Sequence, residues 1–285
     1  MVSSDKVSDS ARISPTAHYT AYVWARHGLS YPELATPQGR LMHLALRPAN
    51  QLLAAVGQAD LESMLLARHR LIDHLLEQAI EEGRVSQVVE IAAGLSPRGL
   101  RMCERFDHLH YVEGDLFAMA ANKRLLIRKR LSPRHRVVEL DALATEGANS
   151  LSTMVDALDP SQGVAVITEG LLPYFSRAKQ DVIWRNISDF LGDFPSSLYL
   201  ADHYLRGDSE SIWGVKTFAR LLSWFAKGTV HMPYDQEHEL AEALEDCGFD
   251  DVNVHRAGDY AGTLPVAGPR QSAYVRIIEA CTDRS

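Results

Sequence analysis

The stretch QVVEIAAGLSPR, residues 87–98, decides the fold. Its first seven residues form a short run of β-branched and apolar side chains, which predicts a buried strand over 87–93. Ala92, Ala93 and Gly94 then place three small residues at the strand's end, and a helix is expected over 97–106. Strand, small-residue turn and helix make the opening unit of a nucleotide-binding α/β sheet. A dinucleotide site would need G-x-G-x-x-G, with pyrophosphate on the helix N-terminus. Here Gly94 is the one glycine in the window. That suits a nucleoside without phosphates, or a tight turn that holds no ligand.

Downstream the same rhythm repeats. Strands are expected at 109–115, 135–141, 163–170 and 197–202. Helices are expected at 116–131, more weakly at 149–158, from a Ser176 cap to Gly192, and around 209–226 and 235–246. FDDVNVHR and SAYVRIIEA close the chain as two further strands, read as an antiparallel edge pair. The alternation predicts a doubly wound, mostly parallel, seven-stranded α/β sheet. Upstream, 11–79 reads as mostly helical. A segment at 17–26 carries Tyr19, Tyr22 and Trp24. A second helix at 39–56 is expected to break near Pro48, and a third runs from an Asp60 N-cap to a stop at Gly83. The division expected is a helical cap over 1–83, with its aromatics forming a lid, and an α/β core over 84–285.

Composition narrows the function classes. The 285 residues are 46% hydrophobic and 23% charged, enough for a sizeable core. A net charge of −8 argues against a sequence-independent grip on nucleic acid. The basic run 123–136 reads as a solvated face. Three scattered cysteines with no C-x-x-C pair point away from a zinc or redox motif and toward a reducing cytoplasm. The first residues carry no apolar signal core, and no apolar stretch approaches a membrane span. No metal, membrane or nucleic-acid partner is expected, and oligomeric state is left open.

Ligands of open α/β sheets bind beyond the carboxyl ends of the strands, so those ends are the candidate site. The first carries Glu90, Ala92 and Gly94. The second ends in Glu113-Gly114-Asp115, where a carboxylate can accept ribose hydroxyls or cap the next helix. The third ends in Asp141-Ala142-Leu143, suited to an adenine amino group and ring, or to a turn cap. The fourth ends in Thr168-Glu169-Gly170. A glutamate after so apolar a strand calls for a cation, either an α-ammonium group or a nearby arginine. Jointly these ends describe an adenosine carrying an amino acid and no phosphate, which is the chemistry of S-adenosylmethionine. Methyl transfer from its sulfonium needs alignment and exclusion of water. A carboxylate acceptor needs no base, whereas a hydroxyl does. His203, just after the fifth strand, is the best placed of 12 histidines for that role, ahead of His18 and His231, although a structural role is the plainer one. Tyr22, Trp24 and Tyr174 could face the sulfonium through cation–π attraction, or pack as ordinary core.

The segments ARHRLID, VVEIAAGLSPRGLR, YVEGDLFAMAANKR, ELDAL and TEGLLPYF, taken in order, resemble the leucine carboxyl methyltransferase family. That family includes polyketide carboxyl methyltransferases of the tetracenomycin type. The resemblance is close over 65–175 and looser elsewhere. It implies a class I methyltransferase fold, S-adenosylmethionine as methyl donor, and a role in bacterial-type secondary metabolism. It also implies that Arg68 binds the methionine carboxylate, that Ala92 and Gly94 underlie the cofactor, and that Asp115, with Glu113 beside it, holds the ribose. Asp141, Ala142 and Leu143 would frame the adenine, Glu169 would approach the ammonium group, and Tyr174 would line the reaction side. Two positions depart from the family pattern: Ala92 stands where the first glycine of a G-x-G is usual, and Ser96 where an aspartate is usual.

Three functions follow as expectations. The first is methyl transfer to a small-molecule carboxylate or hydroxyl. The second is an intramolecular reaction, in which the amino group of S-adenosylmethionine attacks its own side chain to give methylthioadenosine and a cyclic amino acid. The third is a non-catalytic nucleoside-binding protein. A nicotinamide dehydrogenase fits poorly, because its phosphate-binding glycines are absent.

Overall fold

The computed structural model describes residues 15–55, 57, 59–207, 230–266 and 274–283. The helix expected around 209–226 lies outside these residues. Three helices precede the sheet: α1 (Pro15–Arg26), α2 (Pro37–Ala55) and α3 (Leu61–Glu81). Asp60 caps α3 by accepting the Ser63 amide, and Gly83, at φ +73°, turns the chain out of it. The break expected at Pro48 does not occur: α2 runs through it. Pro48 is exposed, and the opposite face is anchored on α1 by Gly39, whose missing Cβ leaves room for the His18 carbonyl.

The remaining elements are β1 (Gln87–Ile91), α4 (Arg98–Arg105), β2 (His110–Asp115), α5 (Phe117–Ile127), β3 (His135–Glu139), β4 (Val164–Thr168), α6 (Arg177–Leu191), β5 (Ser197–His203), α7 (Glu237–Glu245), β6 (Asp251–Arg256) and β7 (Arg276–Cys281). Leu151–Ala157, expected as an α-helix, is a 3-10 turn. Ser176 occupies the N-cap position of α6, but its side chain makes no capping bond. The sheet order is β3-β2-β1-β4-β5-β7-β6, with β1 to β5 parallel and β7 antiparallel to both its neighbours. The last two strands therefore pair as expected, with β7 inserted beside β5 and β6 at the edge. Strand order reverses between β1 and β4, which is where such sheets open a crevice.

Alternation along the strands serves two cores. Val88, Ala165 and Ile167 pack with α1, α3, α4 and α5, whereas Val89, Val164 and Val166 pack with α6 and α7. Tyr19 and Trp24 of α1 belong to the first core, so the helical N-terminal region is packed onto the sheet. The basic run is not wholly a solvated face: Lys123 turns inward, 1% exposed, with its ammonium 2.7 Å from Glu113. No described helix is long and apolar enough to cross a membrane.

Candidate functional site

The carboxyl ends of β1 to β4 open into a cavity of about 760 Å³. Ala92, Gly94, Asp115, Asp141, Ala142 and Glu169 line its floor. Arg68 reaches it from α3, and Thr16, Tyr19, Thr20 and Trp24 cover it from α1. Tyr174 and His231 complete the far wall. Its size is that of a small-molecule site.

The floor turn holds an unusual backbone. Ala92 has φ +55°, the only non-glycine residue with positive φ among the described residues, and Gly94 follows at +51°. A left-handed alanine costs about 1–2 kcal/mol. The turn therefore keeps a glycine-like conformation at the position where glycine is absent, and this strain sits at the cavity floor. Asp115 holds the turn by accepting the Gly94 and Leu116 amides, each at 2.7 Å. Burial still raises its carboxyl pKa, outweighing those two amides. Asp141 accepts the Leu143 amide at 3.0 Å, so the turn-cap use is present at a residue that also lines the cavity.

Behind the wall lies a buried ion cluster. Glu169 accepts from Arg68 Nε at 2.9 Å and Arg98 Nη2 at 2.5 Å, and lies 2.9 Å from His69 Nδ1. Arg98 also donates to Asp73 and Glu90, each at 2.6 Å, and Arg101 donates to Asp73 at 2.5 Å. Tyr111 donates to Glu90 at 2.8 Å. Arg68 further donates to Asp202 at 3.3 Å, while Asp202 accepts the Gly170 amide at 2.5 Å. Burial alone would raise the Glu169 pKa; His69, Arg98 and Arg68 outweigh it and hold the carboxyl well below its ordinary value. Burial raises Asp202 despite Arg68, and raises Glu90 despite Arg98. Arg68 is driven the other way: Asp202 and Glu169 overcome its burial and keep it firmly charged. The cation that Glu169 demanded is thus supplied by the protein.

The structure gathers Arg68, Ala92, Gly94, Asp115, Asp141, Ala142, Glu169 and Tyr174 around one cavity. Five other sequence candidates lie outside its lining. Glu90 is 1% exposed beneath the turn, inside the ion cluster. Glu113 sits two residues, or about 7 Å, down β2 from Asp115 and pairs with Lys123 and His135 in the core. Leu143 packs against the second core. Tyr22 packs at a tilt against His43, with ring centroids 5.4 Å apart. His203 is 1% exposed, with its ring nitrogens near the Tyr204 carbonyl and Gln180; burial pushes its pKa down to about 4. Of the weaker candidates, His18 pairs with Thr36, while His231 lines the cavity. Sequence reasoning missed His69, Asp73, Arg98 and Asp202 of the cluster, and Tyr204 of the cavity lining. A signal existed for the first two: they are polar residues on the face of α3 that carries Leu65, Ile72 and Leu76 into the core.

Residues 31–188, more than half of the 285, match the family model described as leucine carboxyl methyltransferase. No curated protein sequence matches the chain significantly. Among solved structures, a Thermobifida fusca YX protein provisionally named a methyltransferase aligns over 98% of both chains, with 14% identity and a TM-score of 0.64. The S-adenosylmethionine-dependent methyltransferase SibL aligns over 98% of this chain and 72% of its own, at 15% identity and a TM-score of 0.54. PigF, solved with SAH, is a looser likeness: 14% identity, a TM-score of 0.49, 69% of this chain and half of its own length. The sheet order and the paired T. fusca and SibL folds are those of class I methyltransferases, and with the family match over 31–188 the chain belongs to the leucine carboxyl methyltransferase family.

Proposed function

We propose that this chain is an S-adenosylmethionine-dependent methyltransferase that methylates an oxygen, carboxylate or hydroxyl, of a small molecule, in bacterial-type secondary metabolism. The observation that carries the reading is the cavity at the strand-order switch, where one floor combines a glycine-like turn, the Asp115 carboxylate and the Arg68 guanidinium. The donor set fits the donor molecule. Asp115 offers carboxylate oxygens to ribose hydroxyls, and the turn at 92–94 has no side chain larger than methyl to keep a nucleoside off the backbone. Ala142 and Leu140 give an apolar slot for a purine, with Asp141 at its edge. Arg68, held in place by Glu169 and Asp202, is the cation for the methionine carboxylate.

S-adenosylmethionine supplies an electrophilic methyl on a sulfonium. The chain supplies orientation and dryness. Tyr19, Trp24 and Tyr174 offer aromatic faces that tolerate a cation better than an aliphatic wall does. The α1 helix covers the cavity, and Tyr174 donates to Thr16 at 3.4 Å, tying the turn after β4 to that cover. In this reading 1–83 acts as the cap and 84–285 as the donor-binding core.

Titration calorimetry with S-adenosylmethionine, followed by incubation with and without candidate acceptors, tests the reading. Binding, with S-adenosylhomocysteine formed only when an acceptor is present, is the expected result. Methylthioadenosine released from the donor alone would replace it with the intramolecular cyclisation. Binding with no turnover over a broad acceptor panel would favour the non-catalytic nucleoside-binding reading.

A further inference from the structure

The cavity extends past the donor floor to a second wall, built by Tyr174, Phe175, Pro173, Thr20, Trp24 and His231. Its chemistry separates the two oxygen acceptors. Among the described residues one arginine lines the cavity, Arg68, and the reading above gives it to the carboxylate of the donor; Glu169 is paired with Arg68 and Arg98, whereas the Asp115 and Asp141 carboxylates accept backbone amides and meet no arginine. An incoming carboxylate would lose its hydration beside like charges. A neutral planar ring instead meets aromatic faces at a wall with few competing polar groups. Two hydroxyls near that wall are engaged within the protein: Thr20 donates to the Thr16 carbonyl at 2.8 Å, and Tyr174 donates to the Thr16 hydroxyl at 3.4 Å. His231 differs. Its backbone amide donates to the Pro173 carbonyl at 2.8 Å, which seats it beside the turn that carries Tyr174 and Phe175. His231 lines the cavity and is half-buried, so part of it also meets solvent.

From this juxtaposition, and resting on the methyl-transfer reading above, we propose that the acceptor is a phenol on a planar aromatic molecule and that His231 is its general base. The step balances. An imidazole nitrogen of His231 takes the phenolic proton, and the oxygen forms its bond to the methyl carbon. The methyl–sulfur bond breaks with its electron pair going to sulfur, leaving an aryl methyl ether and neutral S-adenosylhomocysteine. The imidazolium then returns its proton to water. A phenol, with pKa near 10, lies within reach of an imidazole base, whereas an alkyl alcohol does not.

The test uses ring systems that differ in one group. With S-adenosylhomocysteine bound to the full chain, 2-naphthol should bind at least tenfold more tightly than 2-naphthoate by calorimetry, and with S-adenosylmethionine it should be the one methylated. Tighter binding or methylation of 2-naphthoate overturns the proposal while leaving the methyltransferase reading intact. So does failure of both to bind at millimolar concentration. Failure to bind S-adenosylmethionine itself removes both. The base is tested with His231→Gln. Its kcat on 2-naphthol should fall on the order of 100-fold, while kcat on 1-nitro-2-naphthol, ionised without help, should fall less than about threefold. An equal loss on the two acceptors overturns the role of His231 as base.

Discussion

Arg98 is the residue on which the buried cluster turns, and its replacement makes the sharpest demand on the structure. It is fully buried, and its guanidinium joins Asp73, Glu90 and Glu169, three carboxylates contributed by α3, β1 and the end of β4. Arg98→Met keeps an unbranched apolar stem and removes the guanidinium and its charge. Breaking a buried pair from one side costs about 3–5 kcal/mol, because the partner is left charged and dry. In a chain of 285 residues that corresponds to a fall in Tm of roughly 5–8 °C. The sign of its pH dependence follows from linkage. Without Arg98 the Glu90 carboxyl, already raised by burial, rises further, and those of Asp73 and Glu169 rise from their lowered positions, so the folded variant binds protons more tightly. Its stability is then greatest in acid and declines as pH rises through those raised values. The deficit against wild type should therefore widen from pH 5 to pH 8. Urea unfolding of both proteins at the two pH values measures it, and adding Glu90→Gln to the variant should recover part of the loss. A deficit under 1 kcal/mol, or one that does not change with pH, would refute the claim that Arg98 neutralises the cluster.

Three further outcomes are expected. Gly170→Ala would place a Cβ 2.9 Å from Arg68 Nη2 at a residue with φ +70°. It should weaken S-adenosylmethionine binding about tenfold by displacing the guanidinium, read by calorimetry. His203, held near pH 4 by burial, is neutral when folded. Its contribution is complete above the ordinary value of 6.5 and is lost as pH falls toward 4, a loss of roughly 3 kcal/mol. His203→Gln should remove that part of the slope in a stability–pH series while leaving turnover at pH 8 within a few-fold, and parallel slopes would contradict it. Ala92→Gly should gain stability by up to about 1 kcal/mol, since relief of the left-handed strain is partly offset by backbone entropy. Ala92→Val should lose stability at the same position, both by chemical denaturation.

What the sequence made legible depended on whether the signal was periodic or relational. The strand over 87–91 and its neighbours could be read because parallel strands buried on both faces appear as unbroken apolar runs, and because Gly83 and Asp60 mark helix ends by local chemistry. Cavity-floor residues could be read because sheet architecture puts strand ends at the site before any contact is known. Glu113 and Glu90 show the limit of that rule. Each is only one or two residues from a strand end, yet that short step takes the carboxylate into the core, where Lys123 and Arg98 meet it from α5 and α4. No local pattern joins Glu90 to Arg98, or Glu169 to Arg68 across 101 positions. Pro48 and the 3-10 turn at Leu151–Ala157 failed for the opposite reason: local propensity was read correctly and packing overrode it.

The cluster also explains why α3 cannot be treated as a mere prop for the sheet. One turn of this helix carries Arg68 to the cavity and His69 to Glu169, and the next carries Asp73 to Arg98. Leu65, Ile72 and Leu76 meanwhile pack the helix into the first core. The position of Arg68 is thus fixed by the same contacts that hold α3 down, and those contacts converge on Arg98 and Glu169. A cationic group held by two strand ends and a packed helix has little freedom to reorganise, which on the reading proposed above is what orientation of a methyl donor requires. Core substitutions on α3 far from the cavity, if they shift the helix, should therefore weaken donor binding before they unfold the chain. Substitutions of equal severity on α7, which packs on the opposite face of the sheet, should lower stability without that loss.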